Sequence, residues 1–307
     1  MVVGWIRDRS AGRSRPASRP PQPAVGRRRR LQVTYDPVVD LSGAKIVVTG
    51  AAGGIGAALA RRFHQGGATV VVADVKHEPL HQVASDLNRR RADSAFAVIA
   101  DVATENGNRS LVEESRRLMG DVDLFFANAG VGLGTSIEST SEDEWSRSFD
   151  INVNAHRWAA KYLLPDWLDR GSGYFCSTAS AAGLLSQIGS APYSVTKHAA
   201  VAFAEWLSIT YGDRGVKVSC LCPQGVNTDM LTGGDIGGRG AGDVVRASGD
   251  VLEPDDVAEV VARALADERF LILPHPQVAD FEAKKVADRD RWLSGMRRLQ
   301  SRIMGDL

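Results

Sequence analysis

Cysteine is scarce in this 307-residue chain: Cys176, Cys220 and Cys222 are the three it has, too few for a disulfide framework. Cys220 and Cys222 alternate along an apolar run, so Cys-x-Cys reads as core packing in a buried strand rather than a zinc or redox site. A reducing cytoplasm is the expected location. Long apolar runs are missing as well. No window approaches the roughly eighteen unbroken apolar residues of a membrane span, so a soluble globular protein with no membrane span is expected. Net charge is formally zero, but unevenly so. Residues 1–30 hold nine arginines and one aspartate, which leaves the remaining chain acidic by eight charges; that body is not expected to bind nucleic acid. The stretch RSRPASRPPQPAVGRRRR has almost no apolar residue whose burial could offset its ordering entropy. Residues 1–38 therefore read as a disordered extension. Their arginine-rich, acid-poor character also permits a transit peptide or an anionic-surface tether, although no amphipathic helix with a clear apolar face is visible.

What is present is core-forming: hydrophobic residues make up 44% of the chain, enough for one large α/β domain. Short continuous β-branched runs recur: AKIVVTG, ATVVVAD, SAFAVIAD, DVDLFFANAG, GYFCSTAS, VKVSCLCP and RFLILP. Runs of this kind mark strands of a parallel sheet covered on both faces. The segments between them are long enough for crossover helices, SEDEWSRSFDINVNAHRWAAKYLLPDWLDRG among them. The rhythm predicts an α/β, doubly wound Rossmann fold over 39–275, with a parallel sheet of about seven strands and helices on both faces. Ligands of such sheets bind at the carboxyl ends of the strands, where Gly50, Asp74, Asp101, Asn128–Gly130, Ser180 and Pro223 fall.

The first strand runs into TGAAGGIG, residues 49–56, and then into a helix. Gly50, Gly54 and Gly56, with Ile55 between the last two, suit a tight turn, close approach to a pyrophosphate and helix-on-strand packing. Asp74 closes the second strand at the distance where an acid meets the adenosine ribose hydroxyls. A 2′-phosphate there would face the carboxylate at a cost of about 1 to 4 kcal/mol. NAD is accordingly expected ahead of NADP, with Lys76 close enough to soften the preference.

YSVTKHAA, residues 193–200, places a phenol and an ammonium at i and i+4 on one helix face. Alcohol oxidation must remove a hydroxyl proton as hydride leaves carbon, and a tyrosine does this only if its pKa of about 10 falls toward the working pH. An ammonium about 4 Å away supplies energy of the order required at an effective dielectric of 20. The same letters hold Ser194-x-x-Lys197, yet the Ser-Asp-Asn and Lys-Thr-Gly partners of a β-lactamase are missing. HEPLH, His77 to His81, has zinc-peptidase spacing, but Pro79 lies within it and no third ligand is suggested, so an exposed helix start is expected.

Together, Thr49-Gly50-x-x-x-Gly54-x-Gly56, Asp101-Val102, Asn128-Ala129-Gly130, Asn152, Ser180, Tyr193-x-x-x-Lys197 and Pro223-x-Gly225-Val226-x-Thr228 resemble the short-chain dehydrogenase/reductase (SDR) family over roughly residues 41–275. The resemblance implies an enzyme in which Tyr193 is the acid/base. Lys197 would depress its pKa and hold the nicotinamide ribose, Ser180 would bond the substrate oxygen, and Asn152 would hold a water in the proton relay. It also implies that Asp101 and Val102 meet the adenine and that Asn128, Ala129 and Gly130 support the cofactor strand. Pro223, Val226 and Thr228 would lie at the nicotinamide, with Tyr193 and Lys197 also against the cofactor. A homodimer or homotetramer joined through the long helices carrying Asn152 and Tyr193 is implied too. Two departures stand out: Gln224 replaces the family's second glycine, either contacting substrate or pointing outward, and Ala127 replaces the first of its paired asparagines.

Residues 229–250, with seven glycines, read either as a lid that orders on binding or as a plain flexible loop. Met230, Leu231, Ile236, Val244 and Val245, with Leu184, Leu185 and Ile188, make a mainly apolar pocket in which Arg239 and Arg246 are the available cations. A lipophilic secondary alcohol or ketone is the expected substrate. The tail 276–307 reads as a helical extension, one long charged helix that seals the site, joins subunits or caps the sheet. Two alternatives remain: an NADP-linked ketoreductase of acyl-thioester type, and a non-catalytic dinucleotide-sensing or partner-binding protein.

Overall fold

The computed structural model describes residues 41–232 and 249–305. The extension 1–38, and Ile236, Arg239, Val244, Val245 and Arg246 of the glycine-rich segment, lie outside the described residues. The β-branched runs form β1 (Lys45–Thr49), β2 (Thr69–Asp74), β3 (Ala95–Ile99), β4 (Leu124–Ala127), β5 (Gly173–Thr178), β6 (Val216–Leu221) and β7 (Leu271–Ile272). They make one sheet in the order β3-β2-β1-β4-β5-β6-β7, parallel throughout. The seven-stranded, doubly wound architecture expected from the sequence is the one found.

The helices are α1 (Gly54–Gln65), α2 (His77–Asn88), α3 (Glu105–Met119), α4 (Glu142–Phe149), α5 (Ala155–Arg170), α6 (Ala182–Leu185), α7 (Ala191–Tyr211), α8 (Asp229–Thr232), α9 (Pro254–Ala266), α10 (Gln277–Ala287) and α11 (Arg289–Met304). Side chains alternate across each strand, so the sheet has two cores. Val47, Val71, Phe125 and Phe175 pack with α3, α5 and α7 through Leu111, Leu163 and Ala204. Ile46, Val48 and Phe126 pack with α1 and α9 through Phe63, Val257 and Val261. Burial of each of the four phenylalanines contributes on the order of 2 kcal/mol. β1–β3 wind one way and β4–β7 the other. The crevice of the switch point therefore lies beyond β1 and β4, beside Gly50 and Asn128.

Two helical stretches depart from their sequence pattern. The long crossover before β5 is not one helix: a π-helical turn, Asp150–Asn154, separates α4 from α5. Such turns carry an extra residue and occur often at functional sites; this one carries Asn152. Its amide bonds the Val131 backbone and Thr196, distant partners that no helical periodicity registers. The C-terminal stretch likewise breaks in two, because Asp288 leaves the helical region (φ −153°, ψ 94°) and its side chain accepts from Arg291 N. An aspartate in this role starts a new helix rather than continuing the old one.

Candidate active site

At the switch point the glycines do what a side chain would prevent. Gly50 has φ +65°, and a Cβ on Gly56 would lie 2.1 Å from Gly50 O, so helix and turn touch backbone to backbone. Gly54 has φ +50°, and its missing Cβ leaves room for Thr228 Cγ2, 3.0 Å from where that atom would sit. Ile55 stands beside it, packed on the α1 side of the core. Gly53 starts α1 with no side-chain cap, so the first amides of the helix keep no side-chain acceptor, and a Cβ there would meet open space. An uncapped helix start behind a glycine cradle fits a pyrophosphate. At the end of β2, Asp74 Oδ2 accepts from Ala52 N at 3.1 Å and Oδ1 from Lys76 N at 3.0 Å, so the acid is fixed against the glycine turn. Asp101 Oδ1 accepts from Ala103 N, and the carbonyl of the buried Val102 accepts from Asn108.

The end of β4 is braced from β1. Thr49 Oγ1 accepts from both Asn128 N and Ala129 N at 3.0 Å. Asn128 donates to Thr49 O and accepts from Thr178 Oγ1. A Cβ on Gly130 would lie 3.2 Å from Lys197 Nζ and 3.3 Å from Asn152 Oδ1, which places those side chains on one spot. The Asn152 side chain is spent on Val131 O, Val131 N and Thr196 Oγ1; it holds the turn after β4 and the catalytic-candidate helix together.

Tyr193 and Lys197 lie in the first two turns of α7, whose start is capped by Ser190. Both are buried. Ser180 stands near enough to the Tyr193 phenol to lower its pKa, and Ser180 Oγ accepts from Ala182 N and donates to Pro223 O. Lys197 Nζ donates to Thr178 O at 3.0 Å and stands 5.6 Å from the centre of the Tyr193 ring. The structure thus brings Asn152, Ser180, Tyr193 and Lys197 together, with Pro223, Val226 and Thr228 along the adjoining turn.

The electrostatics differ from the sequence expectation in one respect. Burial pushes the Tyr193 phenol up from its ordinary value, with Ser180 acting against it. The predicted depression by Lys197 is overridden, because the ammonium lies over the ring face and bonds a carbonyl rather than reaching the hydroxyl. Lys197 itself is pushed down to about 8 by burial. His156, wholly buried, is lowered to about 3 by burial and then by Lys197; its Nδ1 meets Ser177 Oγ at 2.8 Å, while Nε2 has no partner among the described residues.

Other sequence readings find their places. Ser194 Oγ is tied to Gln187, accepting from its N and donating to its O. Pro79 sits in the first turn of α2, and the rings of His77 and His81 lie 4.3 Å apart, tilted by 44°. Cys176, Cys220 and Cys222 are buried free thiols. Leu184, Leu185, Ile188 and Leu231 are buried. Gln224 turns toward the C-terminal segment, where its Oε1 accepts from Gln277 Nε2 at 3.3 Å. Among the described residues, four buried basic groups stand outside the motifs read from the sequence: His64, His156, His275 and Lys285. Lys285, from α10, donates to Leu184 O and to His198 Nε2, linking the tail to the turn after Ser180 and to α7. Only His275, set between Pro274 and Pro276, carried a readable signal.

A family model for short chain dehydrogenases matches residues 44–235. The chain is 34% identical over 227 residues to meso-2,3-butanediol dehydrogenase of Serratia marcescens, spanning 74% of this chain and 89% of that protein. It is 37% identical over 230 residues to 1-deoxy-11-beta-hydroxypentalenate dehydrogenase of Streptomyces exfoliatus, spanning 74% and 81%. Among solved structures, a short chain dehydrogenase/reductase from Burkholderia phymatum in complex with NAD superposes with a TM-score of 0.74 at 29% identity, over 82% of this chain and 95% of that one.

Proposed function

Since this chain belongs to the short-chain dehydrogenase family, we propose that it is an NAD-dependent oxidoreductase interconverting a lipophilic secondary alcohol and its ketone. The observation that carries the reading is the joining of Ser180, Tyr193 and Lys197 at one buried spot beside the glycine turn. A bound nicotinamide supplies or takes up the hydride. Tyr193 exchanges the proton with the substrate oxygen, and Ser180, beside the phenol, orients that oxygen. Lys197 would hold the ribose side of a bound cofactor. The Lys197 ammonium, joined by the charge that an oxidised nicotinamide would bring, would oppose the upward push of burial on Tyr193. Asn152 acts here as a positioning residue for Val131 and Thr196.

Asp74 supports NAD over NADP: its carboxylate is held against the turn, where a 2′-phosphate would meet like charge. Buried Leu184, Leu185 and Ile188 support a lipophilic substrate, and both relatives are named for dehydrogenation of hydroxylated compounds. Trp206 and Ile209, exposed on α7, support a homo-oligomer joined along that helix. Among the described residues, no helix is long and apolar enough to cross a membrane.

The test is nicotinamide absorbance across a panel of secondary alcohols, with NAD and NADP in parallel. Tyr193→Phe is expected to lower turnover roughly 10³-fold while leaving NAD binding measurable by calorimetry. Full turnover in that variant would remove Tyr193 from the mechanism.

A further inference from the structure

β7 runs into the connection Leu273-Pro274-His275-Pro276 before α10 begins. Proline fixes its own φ and restricts the residue before it, so the backbone on both sides of His275 has little freedom. The ring it presents is 2% exposed. Its Nδ1 accepts from Gln224 N at 3.1 Å. Its Nε2 faces two carbonyls, Gly225 O at 3.1 Å and Asp250 O at 3.2 Å. A backbone N–H can only donate and a carbonyl can only accept, so these partners select the neutral ring protonated on Nε2. A second proton would set an N–H against an N–H. Burial holds the His275 pKa below its ordinary value, in the same direction.

The backbone that this ring grips continues to the site. Gly225 O also accepts from Leu252 N at 3.0 Å, and Asn227 N donates to Leu252 O at 2.9 Å, so residues 225–227 lie paired with the chain just after Asp250. The same turn meets Ser180 and Ala181 through Pro223 O and Gly54 through Thr228. A movement at Gln224 and Gly225 therefore reaches Ser180 on one side and the glycine cradle on the other.

We propose that His275 is a positioning residue for hydride transfer: by joining Gln224 and Gly225 to Asp250 it sets where the Pro223–Thr228 turn stands relative to Ser180 and the glycine cradle. This rests on the oxidoreductase reading above. His275 touches neither substrate nor cofactor and acts through the turn, with the Gln277–Gln224 bond as a second strut on the same residue.

The experiment compares the full-length protein with His275→Leu, which fills the space without polar atoms, and His275→Asn, which keeps an acceptor near the Nδ1 position and a donor that falls short of Asp250. Three readouts are taken: amide exchange at Gln224, Asn227 and Leu252 without cofactor, NADH affinity by calorimetry, and the deuterium isotope effect on oxidation of a C-deuterated alcohol. In His275→Leu, exchange at Gln224 should quicken about tenfold and NADH bind about tenfold more weakly, the loss of one buried hydrogen bond. Turnover should fall roughly 10- to 100-fold, with a larger isotope effect because hydride transfer is misaligned. His275→Asn should recover part of each loss. Wild-type NADH affinity and isotope effect in His275→Leu would overturn the proposal and reduce the residue to a core filler. If His275→Leu does not fold, His275→Asn decides: an NADH affinity lowered about threefold or more, with a raised isotope effect, supports positioning, and wild-type values overturn it. Wild-type protein that neither binds NADH nor turns over an alcohol would sink the oxidoreductase reading; wild-type activity with unaltered variants would sink this inference alone.

Discussion

Along the carboxyl edge of the sheet, the junction between the adjacent strands β1 and β4 is braced by neutral groups that bond backbone, whereas the β5–β7 side is held by buried basic groups facing carbonyls. Thr49 and Asn128 brace the junction, and glycines at 50, 54 and 56 let the chain close on itself. On the β5–β7 side, Lys197 donates to Thr178 O, Lys285 to Leu184 O, and His275 to Gly225 O and Asp250 O. Neutral bracing preserves a shape and costs little to keep buried. A buried ammonium without a carboxylate against it costs stability, and burial at Lys197 shows as a pKa near 8. The difference separates a cradle that must only be the right shape from the proposed reaction centre, where charge is held ready for use.

The sharpest way to break the contrast is at Lys197. Lys197→Met should lower turnover roughly 10³-fold yet raise the stability of the cofactor-free protein near neutral pH by up to about 3 kcal/mol. The sign follows from linkage. The folded pKa is about 8 against an ordinary value of 10.5, so between those values the unfolded chain binds more protons and stability climbs with pH. The penalty is fully present below about 8. Chemical denaturation at pH 7 to 10.5 should show this rise in the wild type and not in Lys197→Met; equal slopes would count against a charged, buried Lys197.

On the neutral side, Gly56→Ala tests shape alone. Its Cβ would fall 2.1 Å from a backbone oxygen, so a loss of about 3 kcal/mol in unfolding free energy is expected, with weakened dinucleotide binding. Asp74→Ser should lower the ratio of kcat/KM for NAD to that for NADP by about 10-fold, the energy of a single screened charge contact; an unchanged ratio would assign cofactor choice elsewhere, with Lys76 next in line. Gly53→Ala, whose Cβ meets open space at an extended φ of −170°, should change stability by less than about 0.5 kcal/mol. A large loss there would mean that the cradle is tighter than its geometry indicates.

The same contrast explains what was readable in advance. The strands were legible because a sheet covered on both faces demands continuous apolar runs, and the glycine cradle because its constraint is local to eight residues, 49–56. Asn152, Ser180, Tyr193 and Lys197 were legible as a spaced set, although not in their bonds. The π-helical turn at 150–154 and the break at Asp288 escaped because each depends on a side chain's choice of partner rather than on periodicity. Lys285 escaped for a related reason: in the charged tail AKKVADRDR one lysine looks like another, and only packing against Leu184, 101 residues away in the chain, buries this one.

By itself, the sequence determined the parallel sheet, the switch point beside Gly50 and Asn128, and the residue types gathered there, since propensity, apolar periodicity and turn chemistry act over a few neighbouring residues. The tertiary structure decided which of those residues touch and in what charge state. Burial, not adjacency to Lys197, governs the Tyr193 phenol; the partners of His275, drawn from 25 to 51 residues away, select its tautomer. Desolvation and hydrogen bonding between distant segments exist only once the chain has closed around them.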